Sequence, residues 1–239
     1  MALIRYSRSI IPACDVETLD DLRELVRLTH DVDRIGGYKL GSTPAITYGL
    51  PELVRVVRGF TDLPIIYDHQ KAMTDIPDTG RAFAAAVKGA GVDALIGFPM
   101  AGPATQDAWT KACQEVGLGV IIGGEMTQPR YRRSEGGYVS DEALDEIYLN
   151  GARLGVTDFV VPGNKVERVA HYRELLTPVV GGAPTFFSPG FVAQGGEVSE
   201  AAKVSGGSWH AIVGRGIYGA KGIRAAAKEL TSHLSDRAI

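Results

Sequence analysis

Eight short apolar runs recur along the chain, each followed by a stretch with helical patterning, and this alternation restricts the fold more than any other feature. The runs fall at residues 9–14, 34–40, 65–67, 92–97, 118–125, 157–161, 185–188 and 211–214. They are continuous rather than alternating with polar residues, which is the signature of parallel strands buried on both faces. Between them, Leu19, Leu22, Leu25, Val26 and Leu28 share one helical face, and Pro51 suits the first turn of a helix over 51–60. Further helices are expected over 79–89, 103–116, 141–154 and 166–176, in a short segment after Glu197, and over 223–234. Eight strand–helix units in 239 residues fit an α/β fold of the (β/α)8 TIM-barrel type better than an open sheet. No linker or low-complexity tract interrupts them, so residues 1–239 read as one domain.

Composition excludes several classes. With 45% hydrophobic and 22% charged residues the chain can fill a sizeable core. A net charge of −3 supplies no global positive field for nucleic acid or anionic lipid. The opening MALIRYSRSI lacks a signal-peptide core, and no apolar run is long enough to span a membrane. Cys14 and Cys113 match no metal or redox spacing. The expectation is a cytoplasmic protein without nucleic-acid or membrane partners.

In a barrel of this type the chemistry sits at the C-terminal ends of the strands. Those ends carry Asp15, Lys39, Asp68, Glu125, Pro162, the turn from Ser188 to Gly190, and Arg215. The densest stretch is PIIYDHQKAMTDIPDTG (64–80), where a three-residue apolar strand runs into Asp68, His69, Gln70, Lys71 and Asp75. Such a cluster is either a solvated loop or a charged reaction site, because neighbouring carboxylates raise each other's pKa and an ammonium restores the ionised forms. Across a barrel mouth, Asp15, Lys39, Asp68 and Lys71 alternate in sign. A pair about 4 Å apart gains roughly 4 kcal/mol at an effective dielectric near 20.

SPGFVAQGG (188–196) after strand seven is rich in glycine, which lets backbone N–H groups approach an anion closely. VGRGIY (213–218) after strand eight supplies Arg215, whose planar fork suits phosphate oxygens. Both lie where barrels commonly bind phosphate. After strand five, EMTQP offers Thr127 as donor and acceptor for a polar ring, and the RYRR that follows is either a cationic lid or a solvated loop. No zinc-protease, nucleophile-elbow, Walker or dinucleotide fingerprint is present.

Taken together, SPGFVAQGG, IVGRGIY, EMTQP and DIPDT resemble the orotidine 5′-phosphate decarboxylase family, in its compact archaeal-type form, over residues 15–218. The resemblance implies a homodimeric barrel with shared active sites that converts orotidine 5′-monophosphate to UMP and CO2 without metal or organic cofactor. By position it implies a charged array of Lys39, Asp68 and Lys71, completed by Asp75 from the partner subunit, with Lys71 as proton donor. Asp15 would hold one ribose hydroxyl, and Thr79 another across the dimer. Thr127 would bond the pyrimidine, and Pro189 would line its pocket. Gln194, Gly195, Gly214 and Arg215 would grip the phosphate. The family spacing is D-x-K-x-x-D, whereas here it is D-x-x-K-x-x-x-D from Asp68 through Lys71 to Asp75. Residues three apart on a strand face opposite sides, so the chain must bulge or turn just after Asp68. Two other readings are a nucleotide-binding barrel without turnover and a related sugar-phosphate decarboxylase using Mg²⁺.

Overall fold

The computed structural model describes residues 2–69, 72–191 and 195–234. Eight strands form one parallel sheet: β1 (Arg8–Pro12), β2 (Tyr38–Gly41), β3 (Ile65–Asp68), β4 (Ala94–Gly97), β5 (Gly119–Gly123), β6 (Asp158–Val160), β7 (Thr185–Ser188) and β8 (Trp209–Val213). Their order is β1-β8-β7-β6-β5-β4-β3-β2, and bridges from Ile10 to Ile35 and from Ala13 to Lys39 join the two ends into a barrel. The helices are α1 (Leu19–Thr29), α2 (Ser42–Tyr48), α3 (Leu50–Arg58), α4 (Gly80–Gly89), α5 (Pro103–Glu115), α6 (Asp141–Arg153), α7 (Val166–Val180), α8 (Gly195–Ser205), α9 (Arg215–Tyr218) and α10 (Ile223–Ser232).

The continuous apolar strands are explained by two separate cores. Ile11, Ile66, Ile96, Ile121, Phe187 and Ile212 point into the barrel. Their chain neighbours Ile10, Ile65, Leu95, Ile122, Phe186 and Ala211 pack outward under the helices. Since side chains alternate along a strand, both sets must be apolar. The same alternation places Lys39, between outward-facing Tyr38 and Leu40, and Asp68, beyond outward-facing Tyr67, on the barrel interior.

Most expected elements appear, with shifted ends. Strand two begins at Tyr38 rather than at residue 34, because residues 34–36 reach β1 only through single backbone bonds such as Ile10 N to Arg34 O. Strand eight begins at Trp209 and ends at Val213, so His210 is its second residue. The helix expected after Glu197 begins at Gly195. Two short helices, α2 and α9, were not legible in the apolar pattern. Trp109 and Trp209 are core residues. Among the described residues no helix is long and apolar enough to cross a membrane.

Candidate active site

The C-terminal ends of the strands surround a cavity of about 740 Å³. Asp15, Lys39, Asp68, Thr127, Pro189, Gly214 and Arg215 all line it, so seven of the expected site residues converge on one space. Ile96, Phe98, Met126, Val160, Phe191, Ile212 and Tyr218 supply apolar wall.

One side of the cavity is a row of charges. Lys39 Nζ lies 2.9 Å from Asp68 Oδ2 and 3.3 Å from Asp15 Oδ2. The Lys39 and Asp68 side chains are only 7% and 9% exposed, whereas that of Asp15 is 46% exposed. Burial disfavours the ammonium, but Asp68 and then Asp15 outweigh it and raise the Lys39 pKa, so this lysine stays charged. Asp68 Oδ1 is buried without a hydrogen-bond partner among the described residues. A carboxylate oxygen of this kind, at a cavity wall, is costly unless a further donor reaches it. Gly41 makes the row possible, since a Cβ there would collide with the Asp15 carboxylate.

The chain does turn after Asp68. Ala72 N–H donates to His69 O at 2.7 Å, and Phe98 N–H donates to Ala72 O at 3.1 Å. Met73 follows with φ +65°, a left-handed conformation unfavourable for a side-chain-bearing residue. It is held there by complete burial, with its thioether filling the space that a Cβ on Gly97 would occupy. Between Asp68 and Asp75 the described residues thus show an Ala72–His69 backbone hydrogen bond and one left-handed residue, Met73. Lys71 itself lies outside the described residues, as does Gln194.

Asp75 and Thr79 do not line the cavity. Asp75 is exposed, and the DIPDT segment is pinned against α5: Thr105 Oγ1 donates to Asp75 O at 2.8 Å, and Trp109 Nε1 donates to Ile76 O at 3.0 Å. Ile76 between them is 59% exposed. Pro162 is buried but lies off the cavity.

On the phosphate side, Gly214 precedes α9, and Arg215 is exposed at the cavity edge. Gly195 begins α8. Gly190, at φ +104°, brings the loop after β7 against Thr127 and Asn164, where a Cβ would lie 2.9 Å from Thr127 Cγ2. Asn164 Nδ2 donates to Thr127 O at 3.1 Å.

Glu125, which also borders the cavity, has partners that spacing could not reveal. Its carboxylate is fully buried, with Arg132 Nε and Lys165 Nζ each 3.1 Å from Oε1, and Arg168 Nε 2.7 Å from Oε2. Tyr172 OH donates to Oε2 at 2.7 Å. The RYRR segment is therefore neither a plain lid nor a plain solvated loop: Arg130 and Arg133 are exposed, while Arg132 turns inward. Of the apolar wall, Met126, Phe191, Ile212 and Tyr218 sat inside quoted motifs, but nothing marked Phe98.

Fold and site describe a barrel with a charged mouth, and comparison with known proteins specifies its kinship. The model of the orotidine 5′-phosphate decarboxylase / HUMPS family matches residues 8–230, and the chain belongs to this family. The orotidine 5′-phosphate decarboxylase of Methanosarcina barkeri is 32% identical over 226 residues, 93% of this chain and 95% of that protein. That of Pyrococcus abyssi is 33% identical over 229 residues, 94% of this chain and 98% of that protein. The crystal structure of the Pyrococcus horikoshii OT3 orotidine 5′-phosphate decarboxylase superposes with a TM-score of 0.78 at 27% identity, covering 94% of this chain and 98% of that one. The Methanocaldococcus jannaschii enzyme with inhibitor BMP shares the fold, with a TM-score of 0.81 at 22% identity over 97% of this chain and 100% of that one.

Proposed function

We propose that this chain is a cytoplasmic carboxy-lyase that converts orotidine 5′-monophosphate to UMP and CO2, the decarboxylation that completes a pyrimidine nucleotide, using protein groups alone. The observation that carries the reading is the buried Lys39–Asp68 pair on the wall of the cavity that Thr127, Pro189 and Arg215 also line, in a chain belonging to this family from residue 8 to residue 230.

The reaction leaves an electron pair at C6 of the pyrimidine, which the ring carbonyls delocalise poorly, so the protein must stabilise it electrostatically. Asp68 faces the substrate carboxylate, and its Oδ1, without a partner among the described residues, is open to a further donor, a role we assign to Lys71. Lys71 stabilises the developing carbanion and delivers the proton to C6 as CO2 departs. Lys39, held charged by two carboxylates, keeps Asp68 in place at the site. Asp15, half exposed beside it, accepts a ribose hydroxyl.

Thr127 bonds the pyrimidine edge and Pro189 covers its face. Gln194, the backbone at Gly195 and Gly214, and Arg215 take the phosphate, a remote group whose binding energy holds the ring in register. Exposed Asp75 and half-buried Thr79 stand outside their own subunit's cavity on a pinned segment. That placement suits a homodimer in which each subunit completes its partner's site. Incubating the purified protein with substrate labelled in the carboxylate should release label as CO2 in step with UMP formation. UMP binding without release would instead favour the nucleotide-binding barrel.

A further inference from the structure

The loops after β5 and β6 meet at a buried ionic knot that the proposed chemistry does not use. Glu125 is the first charged residue beyond β5, two positions before Thr127, and its side chain has no exposed surface. Hydrogen bonds from Lys165, Arg168 and Tyr172, together with the Arg132 contact, occupy both of its oxygens. A carboxylate offers about four lone-pair positions, so this one has none left for substrate. It is a junction and not a base.

What it joins is specific. Arg132 belongs to the loop after β5, Lys165 to the loop after β6, and Arg168 and Tyr172 to α7. A second carboxylate, Glu135, accepts from Lys165 Nζ at 3.0 Å and from Arg132 Nη2 at 2.9 Å, and its acidity follows. Burial opposes ionisation, but Lys165 and Arg132 hold its pKa down at about 2. Asp141, at the start of α6, takes Arg132 Nη1 at 3.1 Å. Tyr131 OH ties the same loop to Gly124 O at 2.9 Å. Thr127 sits inside this frame: Glu125 anchors it from the N-terminal side, and Asn164, adjacent to Lys165, holds its carbonyl from the other.

We infer that Glu125 and Arg132 form an ionic clamp that positions Thr127 at the edge of the substrate ring, making both positioning residues for the reaction. The inference rests on the function proposed above for this cavity. Buried ion pairs contribute little net stability compared with apolar packing, so their value lies in fixing one geometry. The longer the loop, the more ordering substrate binding must supply, and a clamp that orders it beforehand lowers that cost.

The test pairs kinetics with amide exchange in Arg132→Leu, Arg132→Lys, Thr127→Ala and the Arg132→Leu/Thr127→Ala double variant. Arg132→Leu should lower kcat/KM at least tenfold, Arg132→Lys should recover part of that loss, and the double variant should lose little beyond Thr127→Ala alone. Hydrogen exchange across residues 125–131 should accelerate in Arg132→Leu while β-strand amides keep wild-type protection. Normal kcat/KM with only a lowered Tm would overturn the clamp, as would losses that multiply in the double variant. Unchanged exchange across 125–131 would overturn it too, and that reading needs no turnover. A wild-type protein that fails to decarboxylate at all strikes the proposed function instead.

Discussion

Lys39 Nζ and Asp68 Oδ2 stand 2.9 Å apart inside the barrel mouth, each on the inward face of its strand. Removing the cation leaves a carboxylate without compensation in a poorly solvated place. Lys39→Met should therefore cost on the order of 3 kcal/mol of stability, the range for breaking a buried pair. Urea denaturation of both proteins checks this; equal stability would show that the pair is solvated.

Asp158, at the start of β6, gives a pH signature far from the reaction. Burial raises its carboxyl from 3.8 to about 6, against a weaker opposing hydrogen bond from Thr185. A raised folded pKa means that its contribution is fully present below about pH 4 and is lost as pH climbs through 6. Asp158→Asn should remove that slope and stabilise the protein at pH 7.5 by on the order of 2–3 kcal/mol. The comparison is made by denaturant titration of both proteins at pH 4.5 and pH 7.5.

Arg215→Ala should weaken substrate binding by about 1.5–3 kcal/mol, as for a charged hydrogen bond. That corresponds to a KM raised roughly ten- to hundredfold. Its exposure at the cavity edge predicts an unchanged melting temperature. A variant with wild-type KM would remove Arg215 from the phosphate site.

Mixing Asp75→Ala subunits with Lys71→Ala subunits should restore activity that neither variant has alone, since one site in each mixed dimer keeps both side chains. Subunit exchange proven by mass spectrometry without any recovery would mean that each chain completes its own site.

The barrel itself was legible because its strands must be apolar on both faces, and eight such runs leave few alternatives. The rim residues were legible too: Lys39, Asp68 and Arg215, which line the cavity, follow from strand ends alone. The Glu125 knot was not, because Arg132, Lys165, Arg168 and Tyr172 come from three separate segments, and only packing decides which cation turns inward. The turn at His69–Ala72 was required by the Asp68–Lys71 spacing, but the left-handed Met73 that accompanies it carries no marker of its own, since residues with φ > 0 are normally glycine or asparagine.

That turn gives a further expectation. Deleting two residues between Asp68 and Asp75, to restore the family spacing, should lower the melting temperature and not raise activity. The Ala72–His69 and Phe98–Ala72 hydrogen bonds and the packing of Met73 on Gly97 are built for the longer segment. A shortened variant that is faster and equally stable would show the added length to be dispensable.

The most direct measurement follows the absorbance of orotidine 5′-monophosphate with wild-type protein beside Lys71→Ala, together with UMP affinity for each. The predicted result is steady loss of substrate absorbance in the wild type, none in Lys71→Ala, and UMP affinities within about tenfold, or 1.4 kcal/mol, of one another. A wild-type protein that binds UMP yet leaves the substrate intact, or a Lys71→Ala variant that turns over as fast as wild type, would contradict it.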